Sequence, residues 1–178
     1  MSLDAIRDAL PETAKDIKLN LQSVLAESTL TLAQRWGVAV ASAATARHRA
    51  LLEAMTAEAL AHVDAAVVDD ALAAAAVMAM NNVYYRFRHI IGKPAYAQRP
   101  ARLRMNRLGK PATSRGDIEL FSLAASAING CEICVQAHEK AVLDGGLNED
   151  HIHDAIRIAA VVHAAAVALE SAVATAAA

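Results

Sequence analysis

The sequence predicts an all-α fold, and its composition is the first reason. Of its 178 residues 44 are Ala, whereas only 7 are Gly, 4 are Pro and 3% are aromatic. Alanine has the highest helix propensity, while β-sheets favour β-branched and aromatic side chains. The length suits one domain. We therefore expect a single-domain helical bundle of about eight or nine helices over residues 1–178.

Helix-capping signals are the second reason. Ser2 is expected to cap a short helix that ends before Pro11, and Thr31 with Gln34 reads as a capping box. Asp64 is placed to cap a long helix. Pro11 is expected to start the second helix at its N1 position, and an apolar stripe at Ile17, Leu21, Val24 and Leu25 continues it. Further helices are expected at about 48–62, 67–88, 101–108 and 117–129, from the Cys131 region to Gly145–Gly146, and from Asn148 toward Ala174.

Charge and hydropathy exclude several classes of protein. A net charge of −2 with few aromatics provides neither a basic field nor a stacking surface for nucleic acid. The longest apolar runs, Ala71–Met80 and Ile158–Leu169, are shorter than the roughly 18 residues of a membrane span. The first sixteen residues mix charges and lack the apolar core of a signal peptide. We expect a cytoplasmic protein with no nucleic-acid or membrane partner.

The two cysteines, Cys131 and Cys134, form a C-x-x-C motif. A bridge across so short a loop stabilises a fold by only on the order of 2 kcal/mol, so the pair indicates redox or metal chemistry. A helix beginning at the motif would favour the thiolate form. His138 lies seven residues after Cys131 and four after Cys134, so all three lie on one helix face. Imidazole is a natural base or acid for a thiol.

Glu119 is the fourth candidate. A helix from Glu119 to Gly130 rises about 16 Å, and an antiparallel return to His138 descends about 10 Å. Glu119 would then lie nearer the level of His138 than that of the cysteines. We expect a relay of Glu119, His138 and a thiol, directly or through a water. Position predicts that Cys131 feels the helix dipole most and is the more exposed thiol, whereas Cys134 has better access to His138. The two effects point to different nucleophiles. We favour Cys134 as the thiol that meets peroxide and Cys131 as the thiol that resolves the product and accepts attack by the reducing thiol.

Four segments carry a resemblance to a known family. The longest is ELFSLAASAINGCEICVQAHE (Glu119–Glu139), and the others are LPETAKDIKLNL, MAMNNVYYR and RPARLRMN. Together they resemble the alkyl hydroperoxidase D family, the branch of the carboxymuconolactone-decarboxylase-like superfamily that carries a C-x-x-C. The spacing E-x11-C-x-x-C-x3-H with these flanks is far more specific than the C-x-x-C alone.

The resemblance implies an all-helical antioxidant enzyme, a lipoyl-dependent peroxidase with no bound cofactor. Glu119, Cys131, Cys134 and His138 would be catalytic, with Cys131 and Cys134 forming the redox disulfide. Electrons would come from dihydrolipoamide on the lipoylated subunit of a 2-oxoacid dehydrogenase complex and pass to a partner peroxiredoxin, alkyl hydroperoxide reductase C. A homotrimer is implied. The sequence departs from the family at Ile133, where well-known members have a histidine.

Other interpretations remain open. The same four side chains suit zinc in ligand type, which would make this a non-enzymatic zinc-binding protein. Buried structural thiols, a helical interaction protein with an inert motif, and a decarboxylase by superfamily analogy are further alternatives. Elsewhere, Met78 is expected to fill the core, and Asn81 and Asn82 to form hydrogen bonds across a helix interface.

Overall fold

The all-α prediction is confirmed in a computed structural model that describes residues 2–176, with side chains through residue 172. All regular structure in this part of the chain is helical. One 3-10 turn, Glu12–Ala14, precedes the second of ten α-helices: α1 (Leu3–Ala9), α2 (Lys15–Ala26), α3 (Leu32–Ala46), α4 (Arg49–His62), α5 (Ala65–Ile91), α6 (Pro94–Ala97), α7 (Asn106–Gly109), α8 (Arg115–Ile128), α9 (Glu132–Asp144) and α10 (Glu149–Ala176).

Helix starts follow the predicted caps. The Ser2 hydroxyl accepts a hydrogen bond from the Ala5 N–H at 3.2 Å. Thr31 and Gln34 form both hydrogen bonds of the capping box. The Asp64 carboxylate accepts from the second backbone N–H of α5 at 2.8 Å. Each cap pairs a backbone N–H that a helix start leaves without an intrahelical partner.

The predicted helix at 101–108 is largely wrong. Only α7 is helical there, residues 101–105 are irregular, and Arg102 has a left-handed backbone with φ 53°. The helix α6 was not predicted. The segment is held by tertiary contacts and not by the burial of an apolar helix face. The Arg107 guanidinium Nη2, for example, lies 2.7 Å from the carboxylate of Asp70 on α5.

Helix α3 forms the centre of the molecule and packs against α4, α5, α8 and α10. Gly37 of α3 permits an unusually close approach to α8. A Cβ placed on Gly37 would lie 2.1 Å from Cζ of the buried Phe121 ring. Phe121 follows Glu119 by two residues, so the close contact between α3 and α8 also fixes the helix that carries Glu119.

The start of α8 is anchored to α5 by the buried carboxylate of Asp70. This carboxylate accepts hydrogen bonds from the Ala112 N–H at 3.1 Å and from the Thr113 N–H and hydroxyl, both at 2.7 Å. Burial raises the pKa of Asp70, but these hydrogen bonds and Arg107 outweigh burial, so its pKa lies below the ordinary value. Asp70 thereby holds the segment that leads into α8, whose N-cap is Ser114.

Two helices, α5 and α10, are long and apolar enough by length and composition to cross a membrane. Long core helices meet the same criteria. Helix α5 packs against α3 and α8, and α10 packs against α2 and α3. The absence of a membrane partner stays a prediction.

Candidate active site

The candidate site is built on the hairpin of α8 and α9. Gly130, with φ 65°, reverses the chain in a left-handed conformation that glycine adopts without strain. At the far end of the hairpin, a Cβ placed on Gly145 would lie 3.5 Å from the Gly116 Cα. The start of α8 thus lies beside the end of α9, and the helices are antiparallel, as the sequence argument assumed.

The turn between these helices is bound to α5 by Asn82. Its amide donates to the Ser126 hydroxyl at 2.9 Å and its oxygen accepts from the Asn129 amide at 2.9 Å. The Ser126 carbonyl in turn accepts from the Cys131 N–H at 3.1 Å. The prediction that Asn82 forms hydrogen bonds across a helix interface is therefore correct, and the contacts hold the start of α9 in place.

Cys131 and Cys134 are joined by a disulfide at the start of α9. Cys131 is the N-cap residue and Cys134 lies in the first turn, where backbone N–H groups and the helix dipole favour a thiolate once the bond is reduced. Cys131 has no exposed surface, whereas Cys134 is 7% exposed. The expectation that Cys131 would be the more exposed thiol is wrong: both residues are buried, and Cys131 is the more completely buried of the two.

Glu119 and His138 are in direct contact. The Glu119 Oε2 lies 2.7 Å from the His138 Nδ1, so this part of the expected relay needs no bridging water. The other carboxylate oxygen lies 2.7 Å from the Arg115 Nη2. Burial raises the pKa of Glu119, but the hydrogen bond and charge of His138, with the charge of Arg115, outweigh burial and lower its pKa. Glu119 is therefore an ionised partner for the imidazole.

The second ring nitrogen of His138 faces another acceptor. Its Nε2 lies 3.2 Å from the sulfur of Met78, a fully buried residue of α5. A thioether can only accept a hydrogen bond, as can the Glu119 carboxylate. A protonated imidazole donates to both partners, whereas a neutral one donates to a single partner. Both ring nitrogens therefore face acceptors, and at least one of them donates a hydrogen bond.

A cavity of about 230 Å³ opens beside these residues. Its lining comes from α5 and α9: Asn81, Tyr85, Ile133, Cys134, Ala137 and His138. Cys131 does not line it. A small molecule in the cavity would therefore meet the sulfur of Cys134 beside the imidazole of His138.

Several residues at the site escaped the sequence analysis. Arg115 precedes Glu119 by four residues, which is ordinary ion-pair spacing on a helix, so it was detectable. Met78, Asn81 and Tyr85 share one face of α5 through their i, i+3, i+7 spacing. That spacing was visible, but nothing in the sequence indicated that the face meets α9. Asn81 also differs from expectation, because its amide donates to the Met105 sulfur at 3.0 Å in the irregular segment.

No group of three or more His, Cys, Asp or Glu side chains within the described residues is arranged to hold a metal ion. The two sulfurs are bonded to each other, and Glu119 is paired with Arg115 and His138.

An all-helical chain with a C-x-x-C disulfide at a helix start, next to a buried Glu–His pair, has the features of a thiol–disulfide oxidoreductase. Comparison with known proteins gives the particular family. The carboxymuconolactone decarboxylase family model matches residues 94–178. The alkyl hydroperoxide reductase AhpD of Anaeromyxobacter dehalogenans (strain 2CP-C) is 70% identical over 169 residues, covering 95% of this chain and 91% of the relative.

Relatives with lower identity carry the same name. The AhpD of Methylobacterium sp. (strain 4-46) is 52% identical over 96% of this chain and 97% of the relative. That of Rhodospirillum centenum is 50% identical over 96% of this chain and 92% of the relative. The chain belongs to the AhpD family of alkyl hydroperoxide reductases, and the resemblance drawn from its motifs is confirmed.

Proposed function

We propose that this chain is a dithiol peroxidase in which Cys134 reacts with hydroperoxide and Cys131 resolves the product. The observation that carries the proposal is the Cys131–Cys134 disulfide at the start of α9, where only Cys134 lines the cavity that His138 also lines. Glu119 keeps the imidazole in place. The reaction needs a thiolate, a proton donor and room for the peroxide, and the site has a candidate for each.

In the proposed cycle, the Cys134 thiolate attacks the terminal oxygen of the hydroperoxide. An S–O bond forms as the O–O bond breaks, so sulfur is oxidised to a sulfenic acid and the peroxide is reduced to an alcohol. His138 supplies the proton that the departing alkoxide takes up. The Cys131 thiol then displaces the sulfenic hydroxyl as water, which gives the disulfide present in the structure.

The proposed reductant is dihydrolipoamide on the lipoylated subunit of a 2-oxoacid dehydrogenase complex. A thiolate of this dithiol attacks the protein disulfide, and its second thiol closes the lipoyl ring and releases both protein thiols. We further propose that the reduced protein passes electrons to a partner peroxiredoxin. The protein would act in the cytoplasm and form a homotrimer. The sequence favoured Cys131 as the target of the reducing thiol. We instead propose Cys134, because it is the sulfur that borders the cavity and Cys131 is fully buried.

Turnover with purified components tests this function. Protein mixed with dihydrolipoamide and cumene hydroperoxide should consume peroxide, and Cys131→Ser and Cys134→Ser should each abolish the cycle. Turnover that survives both substitutions would contradict the proposal.

A metal analysis with a thiol count separates this function from a zinc site. A structural zinc site would give about one zinc per chain and unfolding by chelators. The proposed redox pair instead gives two titratable thiols after reduction, none after oxidation, and no stoichiometric zinc.

A further inference from the structure

Asn81 lines the cavity with an amide side chain that the proposed cycle does not use. Asn81 is 6% exposed, and its Nδ2 lies 3.0 Å from the Met105 sulfur. Because a thioether accepts hydrogen bonds and cannot donate them, this contact fixes which end of the amide is nitrogen. The oxygen Oδ1 is therefore the free end of the side chain.

This oxygen is buried and has no hydrogen-bond partner within the described part of the chain. Leaving a buried acceptor unpaired destabilises a fold, so native proteins pair the great majority of such groups. The neighbouring amide of Asn82 is fully paired with Ser126 and Asn129. Asn81 lines the cavity, and its Oδ1 is covered by neighbouring atoms, so a ligand that moves this cover would supply the missing donor.

We propose that Asn81 positions the hydroperoxide by accepting a hydrogen bond from its O–H group, an inference that rests on the proposed function. Both peroxide oxygens can accept hydrogen bonds, but only the terminal one carries a proton to donate. Pairing that proton with Asn81 Oδ1 holds the terminal oxygen, the atom that Cys134 attacks. The proton stays on the transferred oxygen in the sulfenic acid, and His138 protonates the departing alkoxide.

The rest of the lining suits the organic part of such a substrate. Ile133, Ala137 and the ring of Tyr85 provide apolar walls. The bound hydroperoxide would therefore be oriented at both ends, by Asn81 at the O–H group and by these side chains at the hydrocarbon.

The substitution Asn81→Leu tests this role, because it preserves the size of the side chain and removes the oxygen. Reduced protein is mixed with cumene hydroperoxide, and loss of thiols is followed in a single turnover. We expect the second-order rate constant for oxidation of the dithiol by peroxide to fall about tenfold, because one hydrogen bond in the transition state is lost. Reduction of the disulfide by dithiothreitol should keep its wild-type rate, and the melting temperature should stay the same or rise.

Asn20→Leu provides a matched control, since it makes the same chemical change at an exposed position on α2 and should leave both half-reactions unchanged. An unchanged rate of peroxide oxidation in Asn81→Leu would overturn the assignment, as would an equal loss in both half-reactions, which indicates a structural role. If cumene hydroperoxide fails to oxidise even the wild-type dithiol, the proposed function fails and Asn81 loses its role with it. The wild-type measurement thus distinguishes failure of the proposed function from failure of the role assigned to Asn81.

Discussion

At the scale of single residues, the pair of Glu119 and His138 carries the proposed proton transfer. We predict that His138→Phe and Glu119→Gln each lower the rate of peroxide reduction by about 100-fold, the usual contribution of a general acid or base. Exchange of the reduced dithiol with a small aromatic disulfide needs no proton delivered to an alkoxide, so it should change much less. Stopped-flow measurement of both reactions checks this.

A loss of the same size in both reactions would contradict the proton-transfer role. It would indicate instead that the substitutions disturb the cysteines themselves.

Ile133 is the residue where this chain departs from the familiar family pattern. Its side chain is 40% exposed and lines the cavity, so it offers an apolar contact in place of a proton carrier. We predict that Ile133→Ala raises the KM for cumene hydroperoxide about fivefold through lost apolar contact. The KM for hydrogen peroxide, which has no hydrocarbon, should stay unchanged. An equal change for both peroxides would show that Ile133 does not contact the organic group.

The sequence predicted part of the site because part of it is local. The i+4 spacing of Cys134 and His138 and the hairpin arithmetic for Glu119 both follow from helix geometry. The contact of His138 with Met78 joins residues that are 60 positions apart, so no local pattern could predict it. Burial of Cys131 was missed for the same reason, since helix position does not show what packs over a residue.

At the scale of helices, Asp154 of α10 holds the loop between α2 and α3. Its carboxylate accepts from the Thr29 N–H at 2.7 Å, the Thr29 hydroxyl at 3.0 Å and the Ser28 hydroxyl at 3.1 Å. Arg157 lies 3.0 Å away. Burial raises the pKa of Asp154, but these partners outweigh it and lower its pKa to about 2.

This lowered pKa predicts an acid-sensitive contribution to stability. A carboxyl with a folded pKa below its unfolded value stabilises the fold above the unfolded value, near 4 for Asp, and loses that effect as pH falls toward 2. We expect Asp154→Asn to lower the free energy of unfolding by about 1–2 kcal/mol at pH 7 and by much less at pH 2.5. Urea unfolding at both pH values measures this, and an equal loss at both would contradict it.

Helix boundaries could be predicted where a nearby side chain caps the helix. They could not be predicted where tertiary contacts determine the conformation of the segment. The caps at Ser2, Thr31 and Asp64 use side chains within three residues of the N–H groups they pair. The segment 101–105 lies between contacts to distant residues of α5, made by Met105 and Arg107. Its conformation therefore depends on a helix that lies far away in the sequence.

At the scale of the whole molecule, α5 leaves an apolar row uncovered. Val83, Phe87 and Ile90 are 61%, 47% and 75% exposed, and their spacing places them on one helix face. The Phe87 ring packs edge-on against the exposed Tyr96. We propose that this row is the contact surface of the proposed homotrimer, because a contiguous exposed apolar patch is typical of an interface.

We predict that Phe87→Glu dissociates the trimer, because it would bury an unpaired charge between subunits. Light scattering at micromolar concentration should report three chains for the wild type and one for the variant. Leu60→Glu, at a 50% exposed position on α4, makes a similar change elsewhere and should remain trimeric. A wild-type monomer would contradict the assembly, and a trimeric Phe87→Glu would show that another surface forms it.

The central claim is that Cys134 is the sulfur that meets peroxide. Trapping of the sulfenic acid with a dimedone probe, read by mass spectrometry after one equivalent of cumene hydroperoxide, tests it most directly. We predict that Cys131→Ser, which retains Cys134, gains the probe rapidly, while Cys134→Ser gains it slowly or not at all. Labelling confined to Cys134→Ser would reverse the roles of the two cysteines, and labelling of neither variant would contradict the peroxidase mechanism.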